Sequence, residues 1–243
     1  VRVSARGASI VEGAKGPWPF STAIEGSAIA FSIKGAMPAP LDIAHLSGNV
    51  SARASDLVLI DAIIEAGLPG TQPVSLTASV ERNRRDWTVR NLRGTIGRSD
   101  IAGSATIVKR DGRTRIDGLI HASRFDFDDL SSDEGLRIAA GKRARFGPRV
   151  VPDTAIDIAT VSKTDGELKL SVDRLLWRQP SPIVSLKAKL KLDRSLLTLS
   201  QVRLGLVRGW LGGSVVVDQR HGGPKLGLDL TLDGARLSDF FPA

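Results

Sequence analysis

The chain of 243 residues is 42% hydrophobic and 25% charged, with a formal net charge of +8 and neither Cys nor Tyr. That composition excludes an intrinsically disordered chain, and the lack of Cys excludes disulfides, thiol catalysis and Cys-ligated metals. The basic balance favours an anionic neighbour: nucleic acid, anionic lipid or lipopolysaccharide.

Alternation of apolar and polar residues predicts strands at 28–33, 74–80, 87–92, 101–108, 115–127, 166–172, 183–192, 196–204, 213–217 and 225–232. Between the first two, residues 61–66 predict a short helix stopped by Gly67 and Pro69. After the fifth, residues 131–146 predict a longer helix. Ser131 and Glu134 stand there at capping-box spacing, and Lys142, Arg143 and Arg145 sit near the C-terminal end. Gly135 and Gly141 weaken it. The passage Gly147-Pro148-Arg149-Val150-Val151-Pro152 reads as a link. It divides an N-terminal β-rich half with short helices, 1–146, from a C-terminal β-rich half, 147–243, the two being expected to continue as one curled sheet.

The stretch 185–200 alternates most clearly. Leu186, Ala188, Leu190 and Leu192 hold one phase, and Lys187, Lys189 and Lys191 the other. Short polar or Gly-containing connections separate the strands, at Asn83-Arg84-Arg85-Asp86, Arg110-Asp111-Gly112, Asp165-Gly166, Asp193-Arg194-Ser195 and His221-Gly222-Gly223-Pro224. A parallel crossover needs about a dozen residues or more, so these links predict antiparallel neighbours.

The halves resemble each other. Residues 88–130 overlay residues 198–240 without a gap. Thr88 meets Thr198, Arg93 meets Arg203, Arg98 meets Arg208, Gly103-Ser104 meets Gly213-Ser214, Arg110 meets Arg220, Gly112 meets Gly222 and Asp129 meets Asp239. This reads as a repeated β unit of strand, turn and strand, followed by a helical turn that starts at Ser or Asp. A third, fainter copy ends at residues 55–63.

Residues that could carry chemistry are scattered. His45, His121 and His221 lie far apart, without partners at metal-ligand spacing. Phe125-Asp126-Phe127-Asp128-Asp129 is the densest acidic spot, readable as a divalent-cation site or paired carboxylates. Its repeat partner keeps the apolar alternation and Asp239 but loses the other carboxylates, which favours a strand end with Phe125 and Phe127 inward, Asp126 and Asp128 outward, and Asp129 starting a helix. No nucleophile elbow, phosphate loop or dinucleotide fingerprint is present. No enzyme activity, cofactor or metal is expected. The basic clusters 82–85, 109–115 and 142–145 lack the aromatics that nucleic-acid readers use for stacking. They suit a solvated surface or lipid headgroups, and nucleic acid is not an expected partner.

The alternation leaves a surplus. Each inward Leu or Ile represents ~1.5–3 kcal/mol of burial, and two short helices cannot cover so many. Either the sheet folds over itself into a sandwich or barrel, or it curls into an open trough that holds acyl chains.

The passage Trp87-Thr88-Val89-Arg90-Asn91-Leu92-Arg93-Gly94-Thr95-Ile96-Gly97-Arg98-Ser99-Asp100-Ile101-Ala102-Gly103-Ser104, with residues 123–130, Val151-Pro152-Asp153 and the 196–217 hairpin, resembles the AsmA-like family of TamB-related Gram-negative envelope proteins. The resemblance implies a mainly β fold of repeated, mostly antiparallel strands curled into an open hydrophobic groove, with one or two short helices. It also implies a periplasmic protein tethered to the inner membrane by a segment outside this chain, moving phospholipid or related lipids toward the outer membrane. No run here approaches the ~18 apolar residues of a membrane span, and the chain opens on Val1 without a signal-peptide pattern. It is therefore expected to be a mature protein or a segment of a longer one. The family offers no catalytic residues to carry over. By strand phase, the groove lining is expected at Leu168, Leu170, Val172, Leu186, Leu190, Leu192, Leu197, Leu199, Val215, Val217, Leu226, Leu228, Leu230 and Leu232. Expected partners are phospholipid, a membrane surface met by the basic loops, and an outer-membrane protein. The alternative is a structural β domain with a dry, closed core that assists outer-membrane protein assembly, and a carrier of sterols or hopanoids is a third reading.

Overall fold

The computed structural model describes residues 1–8, 16–65, 68–147, 163–176, 183–220 and 225–235. Thirteen strands occur among them: β1 (Arg2–Gly7), β2 (Trp18–Glu25), β3 (Ile29–Met37), β4 (His45–Ala54), β5 (Val74–Asn83), β6 (Asp86–Ile96), β7 (Ser99–Arg110), β8 (Arg113–Ala122), β9 (Thr164–Val172), β10 (Ile183–Asp193), β11 (Leu196–Leu206), β12 (Trp210–Asp218) and β13 (Lys225–Asp233). They form one sheet whose strand order is the chain order, and β1 and β13 stay at opposite edges. The sheet is open rather than closed into a barrel, and among the described residues no second sheet stacks on it as a sandwich.

Each neighbouring pair is antiparallel except β8 and β9, which run parallel from Thr114 opposite Thr164 to Ala122 opposite Val172. The chain between them has room to cross back. It includes a 3-10 turn, Phe127–Leu130, and the helix α2 (Asp133–Phe146). A further parallel bridge joins Phe125 to Leu175. The predicted link 147–152 lies outside the described residues from Pro148 onward.

The repeat extends into backbone irregularities. The register of β6 against β7 jumps between Val89 and Leu92, with Asn91 at a φ of 53°. The register of β11 against β12 jumps between Leu199 and Val202, with Gln201 at 52°. Asn91 and Gln201 are equivalent positions of the two copies. Each is the extra residue of a β-bulge, which switches the strand's inward parity from odd to even numbers. That switch lets Trp87, Val89 and Leu92, and likewise Leu197, Leu199 and Val202, all keep one phase.

Several boundaries differ from those expected. The strand predicted at 115–127 ends at Ala122, because Asp126 caps the 3-10 turn by accepting the Asp128 N–H. Asp126 and Asp129 are both buried rather than outward-facing and helix-starting. The predicted turn at Asp165-Gly166 lies inside β9. Gly166 holds a φ of +144°, and an added Cβ would stand 1.8 Å from the Ile116 carbonyl oxygen. Only glycine permits that close parallel approach. The first helix is α1 (Leu57–Ile64), four residues earlier than expected, because Asp56 accepts from the Val58 N–H as its N-cap. The second starts at Asp133 on the Ser132 hydroxyl, which accepts from the Gly135 N–H, rather than on Ser131. Strands β1, β2 and β4 have no counterpart in the expected set. In β4 the inward phase is held by Leu46, Gly48, Val50, Ala52 and Ala54, and the small side chains at three of the five hide the alternation.

Packing gathers in three buried clusters on one face, the first of Phe20, Ile33 and Met37 on β2 and β3. Ile60 of α1 is buried with Ala52, Ala54, Val74 and Ile96. Lys109 donates its ammonium to the Ile64 carbonyl at 2.8 Å and to the Glu65 carboxylate at 3.2 Å, so a cation sits at the helix C-terminus. Phe125 and Leu175 are buried with Ala122, Val172, Leu186 and Val202. A polar clamp ties these pieces together. The Asp129 carboxylate accepts from the Arg98 N–H, the Ser99 N–H and the Ser99 hydroxyl at 2.9, 2.8 and 2.7 Å. The Gln72 N–H donates to the Asp129 carbonyl, and its side-chain amide donates to the Ser131 carbonyl.

Asp129→Ala would leave those buried donors without an acceptor and is expected to lower stability by roughly 2–3 kcal/mol, measured by urea denaturation. Gly166→Val is expected to cost at least about 2 kcal/mol in the same assay, whereas Gly112→Ala, at a turn with open space around it, is expected to cost about 1 kcal/mol through its positive φ alone.

Candidate functional site

Residues directly opposite each other in a sheet point their side chains to the same side. The register therefore sorts the side chains into two faces. On one of them Val172 stands opposite Leu186, Leu170 opposite Ala188, and Leu168 opposite Leu190. Leu190 stands opposite Leu199, and Leu192 opposite Leu197. Val215 and Val217 follow opposite Leu199 and Leu197. Leu228 and Leu226 come next opposite Val215 and Val217, with Leu230 and Leu232 opposite Gly213 and Leu211. All fourteen positions assigned by strand phase thus share one face.

The row does not stop at the repeat boundary. Ile120 and Ala122 lie opposite Leu170 and Val172. Ile107 lies opposite Ile116 and Trp87. Val89 then meets Val80, Ala78 meets Val50, Val50 meets Ile33, and Ile24 meets both Phe31 and Val3. The same face therefore carries mostly apolar side chains from β1 to β13. Strand phase in the N-terminal half was not assigned to this face from sequence, because three of its strands were not seen. Val202 and Leu204 were missed because the bulge at Gln201 inverts the parity that Leu197 and Leu199 set. Two non-adjacent apolar pairs of opposite parity within one strand are the signal that would have found them.

Coverage of this face is uneven. Val172 and Leu186 are buried beneath Phe125 and Leu175. Leu168, Leu170, Leu190, Leu192, Leu197, Leu199, Val215 and Val217 are half-buried. Leu226, Leu228, Leu230 and Leu232 on the edge strand are exposed at 65, 58, 41 and 39%. Among the described residues no second layer of strands lies across the face; α1 packs on its β4–β6 stretch. The row thus leaves apolar side chains open to solvent on β13.

The other face is wet. Lys187, Lys189 and Lys191 project there, and Lys189 pairs with Glu167 at 2.9 Å. A shallow depression of about 400 Å³ lies on this side of β8 and β9, lined by Arg115, Asp117, Leu119, Glu167 and Lys169. Its walls are mostly charged. His121, nearby on the same face, reaches the Ser171 hydroxyl at 3.0 Å through Nδ1 and the Asp173 carboxylate at 3.3 Å through Nε2, all three open to solvent. His45 pairs with Asp42 at 3.0 Å, and His221 lies outside the described residues. Among the described residues no group of three or more acidic or His side chains is placed to hold a metal ion.

The hairpin ends collect the basic loops, one of which reaches the end of α1 through Lys109. Part of that charge is committed. Arg110 pairs with Asp86 at 2.6 Å, and Arg220 with Asp218 at 2.7 Å. Arg113 grips both oxygens of Asp165, each at 2.6 Å, and the Arg194 N–H donates to the same carboxylate at 2.8 Å. Asp165 thereby ties β8, β9 and the β10–β11 turn together. Arg82 lies 5.2 Å from the centre of the Trp87 ring. No helix is long and apolar enough to cross a membrane among the described residues.

Comparison with family models, with curated proteins and with solved structures finds no match to this chain.

The Arg113 guanidinium holds the Asp165 carboxyl below the usual carboxylate range. Its stabilising contribution is therefore complete above the unfolded value of about 4 and is lost as pH falls through the lower folded value. Asp165→Asn is expected to lower the Tm at neutral pH by a few degrees and to flatten the loss of Tm below about pH 4, read from a thermal-melt series.

Proposed function

We propose that this chain is a non-enzymatic lipid-carrying module of the AsmA-like kind. Its sheet forms a hydrophobic β-groove that shields acyl chains of phospholipid or related lipids in the periplasm, between inner and outer membrane, in support of outer-membrane biogenesis. The observation that carries this reading is the single apolar row running through thirteen strands with no second layer opposite it among the described residues.

The chemistry of that row fits hydrocarbon. Leucine, valine and isoleucine dominate it, and it presents few groups for directional hydrogen bonds. Such a surface gains from area rather than from geometry, at ~25 cal/mol per Å² removed from water. An acyl chain of about sixteen carbons would gain on the order of 10 kcal/mol at ~0.8 kcal/mol per CH₂, enough to leave a bilayer only when its full length is covered. A continuous row across neighbouring strands supplies that length where a compact pocket would not. The lysines on the opposite face keep the outer surface hydrated. The basic loops at the hairpin ends, where Arg84, Arg85 and Arg194 project, are placed to meet anionic headgroups.

Leu190 sits mid-strand between Leu168 and Leu199 and is half-buried. Organic extracts of the purified protein, read by mass spectrometry, are expected to contain phospholipid. Leu190→Asp is expected to cut the bound lipid at least tenfold while the far-ultraviolet circular dichroism stays that of a β protein. Undiminished lipid in that variant, or no lipid in the wild-type protein after expression in a Gram-negative host, would overturn the reading.

A further inference from the structure

Both edges of the sheet are open among the described residues. β1 pairs only with β2, and β13 only with β12. Every residue of β1 and of β13 is exposed. Exposed edges with unpaired backbone groups are templates for pairing with another strand. The two edges here fit each other.

Direction is the first requirement. Eleven antiparallel joints and one parallel joint separate β1 from β13, so the two strands run in opposite directions. A second copy that continues the strand order beside β13 therefore offers its β1 antiparallel, with its apolar face on the same side.

Register is the second. Val3, Ala5 and Gly7 hold the apolar face of β1, and Arg2, Ser4 and Arg6 the polar one. On β13 the apolar face holds Leu226, Leu228, Leu230 and Leu232, and the polar one Lys225, Gly227, Asp229, Thr231 and Asp233. Placing Arg2 opposite Asp233 puts Val3 opposite Leu232, Ser4 opposite Thr231, Ala5 opposite Leu230, Arg6 opposite Asp229 and Gly7 opposite Leu228. Every apolar residue meets an apolar one or glycine, and both arginines meet aspartates. Sliding by two residues one way sets Arg2 against Thr231 and Arg6 against Gly227. Sliding two residues the other way sets Arg6 against Thr231 and leaves Arg2 beyond the strand. A slide of four residues keeps one ion pair only: one way sets Arg2 against Asp229 but Arg6 against Lys225, and the other sets Arg6 against Asp233 and leaves Arg2 beyond the strand. Arg2, Arg6 and Asp229 form no ion pair among the described residues, and Asp233 accepts one hydrogen bond, from Trp210 Nε1 at 3.1 Å.

We infer that β13 of one copy pairs with β1 of a second copy of this chain in that register, Arg2 on Asp233 and Arg6 on Asp229, extending the sheet and its apolar face head to tail. The contact is heterologous, so it repeats rather than closing into a two-fold dimer. Unlike the internal join at β8 and β9, which is parallel, this join is antiparallel like the other eleven of the sheet. It does not depend on what the apolar face holds.

The lack of native Cys makes the test direct. A chain carrying Ser4→Cys and Thr231→Cys is expected to give a ladder of disulfide-linked dimers, trimers and longer species on mild oxidation, seen on a non-reducing gel. Thr231→Cys alone is expected to stay monomeric; an efficient disulfide dimer from that single variant would mean two-fold β13 pairing and would overturn the inference. Sedimentation tests the charges. Wild-type protein is expected to shift to larger species with concentration. Arg2→Asp with Arg6→Asp, and separately Asp229→Arg with Asp233→Arg, are each expected to weaken self-association at least about tenfold. A mixture of the two variants is expected to associate again. A monomeric wild type, a mixture that stays apart, or a double-Cys chain without a ladder would each sink the proposal, and loss of bound lipid would leave it standing.

Discussion

One constraint governs this molecule: a sheet with a period-2 pattern must find cover for one face, and here the described residues cover that face only in patches. A strand with Leu on one side and Lys on the other cannot be at rest in water. Globular β proteins answer by stacking a second sheet about 10 Å away or by closing a barrel. This sheet does neither. Its strand order is the chain order, so no strand crosses over to form an opposing layer. The helical cap of α1, the 3-10 turn and the segments around Phe125 and Leu175 buries two clusters, Phe20, Ile33 and Met37 form a third, and the row becomes exposed toward β13.

The polar interactions serve that arrangement. Asp129 and Gln72 fasten the cap to the turn that opens β7. Lys109 reaches up from the apolar side to hold the end of α1. At the far end, Asp165 locks the one parallel joint to the neighbouring hairpin. The acidic spot that invites a cation-site reading is therefore a set of structural acceptors. Its carboxylates are satisfied by backbone N–H groups, a serine hydroxyl and Arg98. Duplication explains the length of the sheet. Each copy keeps its bulge at the same place, since losing it would turn half a strand inside out.

Much of this was legible in the chain. Strands rich in Leu, Val and Ile with Lys between them announced themselves, as at 183–192 and 225–232, and the fourteen positions picked by phase share one face. Strand β4 did not, since Gly48, Ala52 and Ala54 among its inward positions give little contrast against Ser and Asn. Helix starts were misjudged where two candidate caps stood side by side, Ser131 and Ser132, because the choice depends on which hydroxyl reaches an N–H. Gly166 was taken for a turn, because glycine marks both turns and close backbone approaches and only the neighbouring Ile116 carbonyl tells them apart.

What the amino-acid order determined by itself is the alternation, and with it the β class, the two-sided character of each strand and the duplication, because side-chain phase is a local property of an extended chain. What only tertiary structure decided is how the strands are joined: the parallel seam at β8 and β9, the parity change at each bulge, the open edges, and the absence of a second layer. Those depend on pairings between residues far apart in the chain, where backbone hydrogen bonds are the same for every sequence and the choice among them rests on packing that no local pattern records.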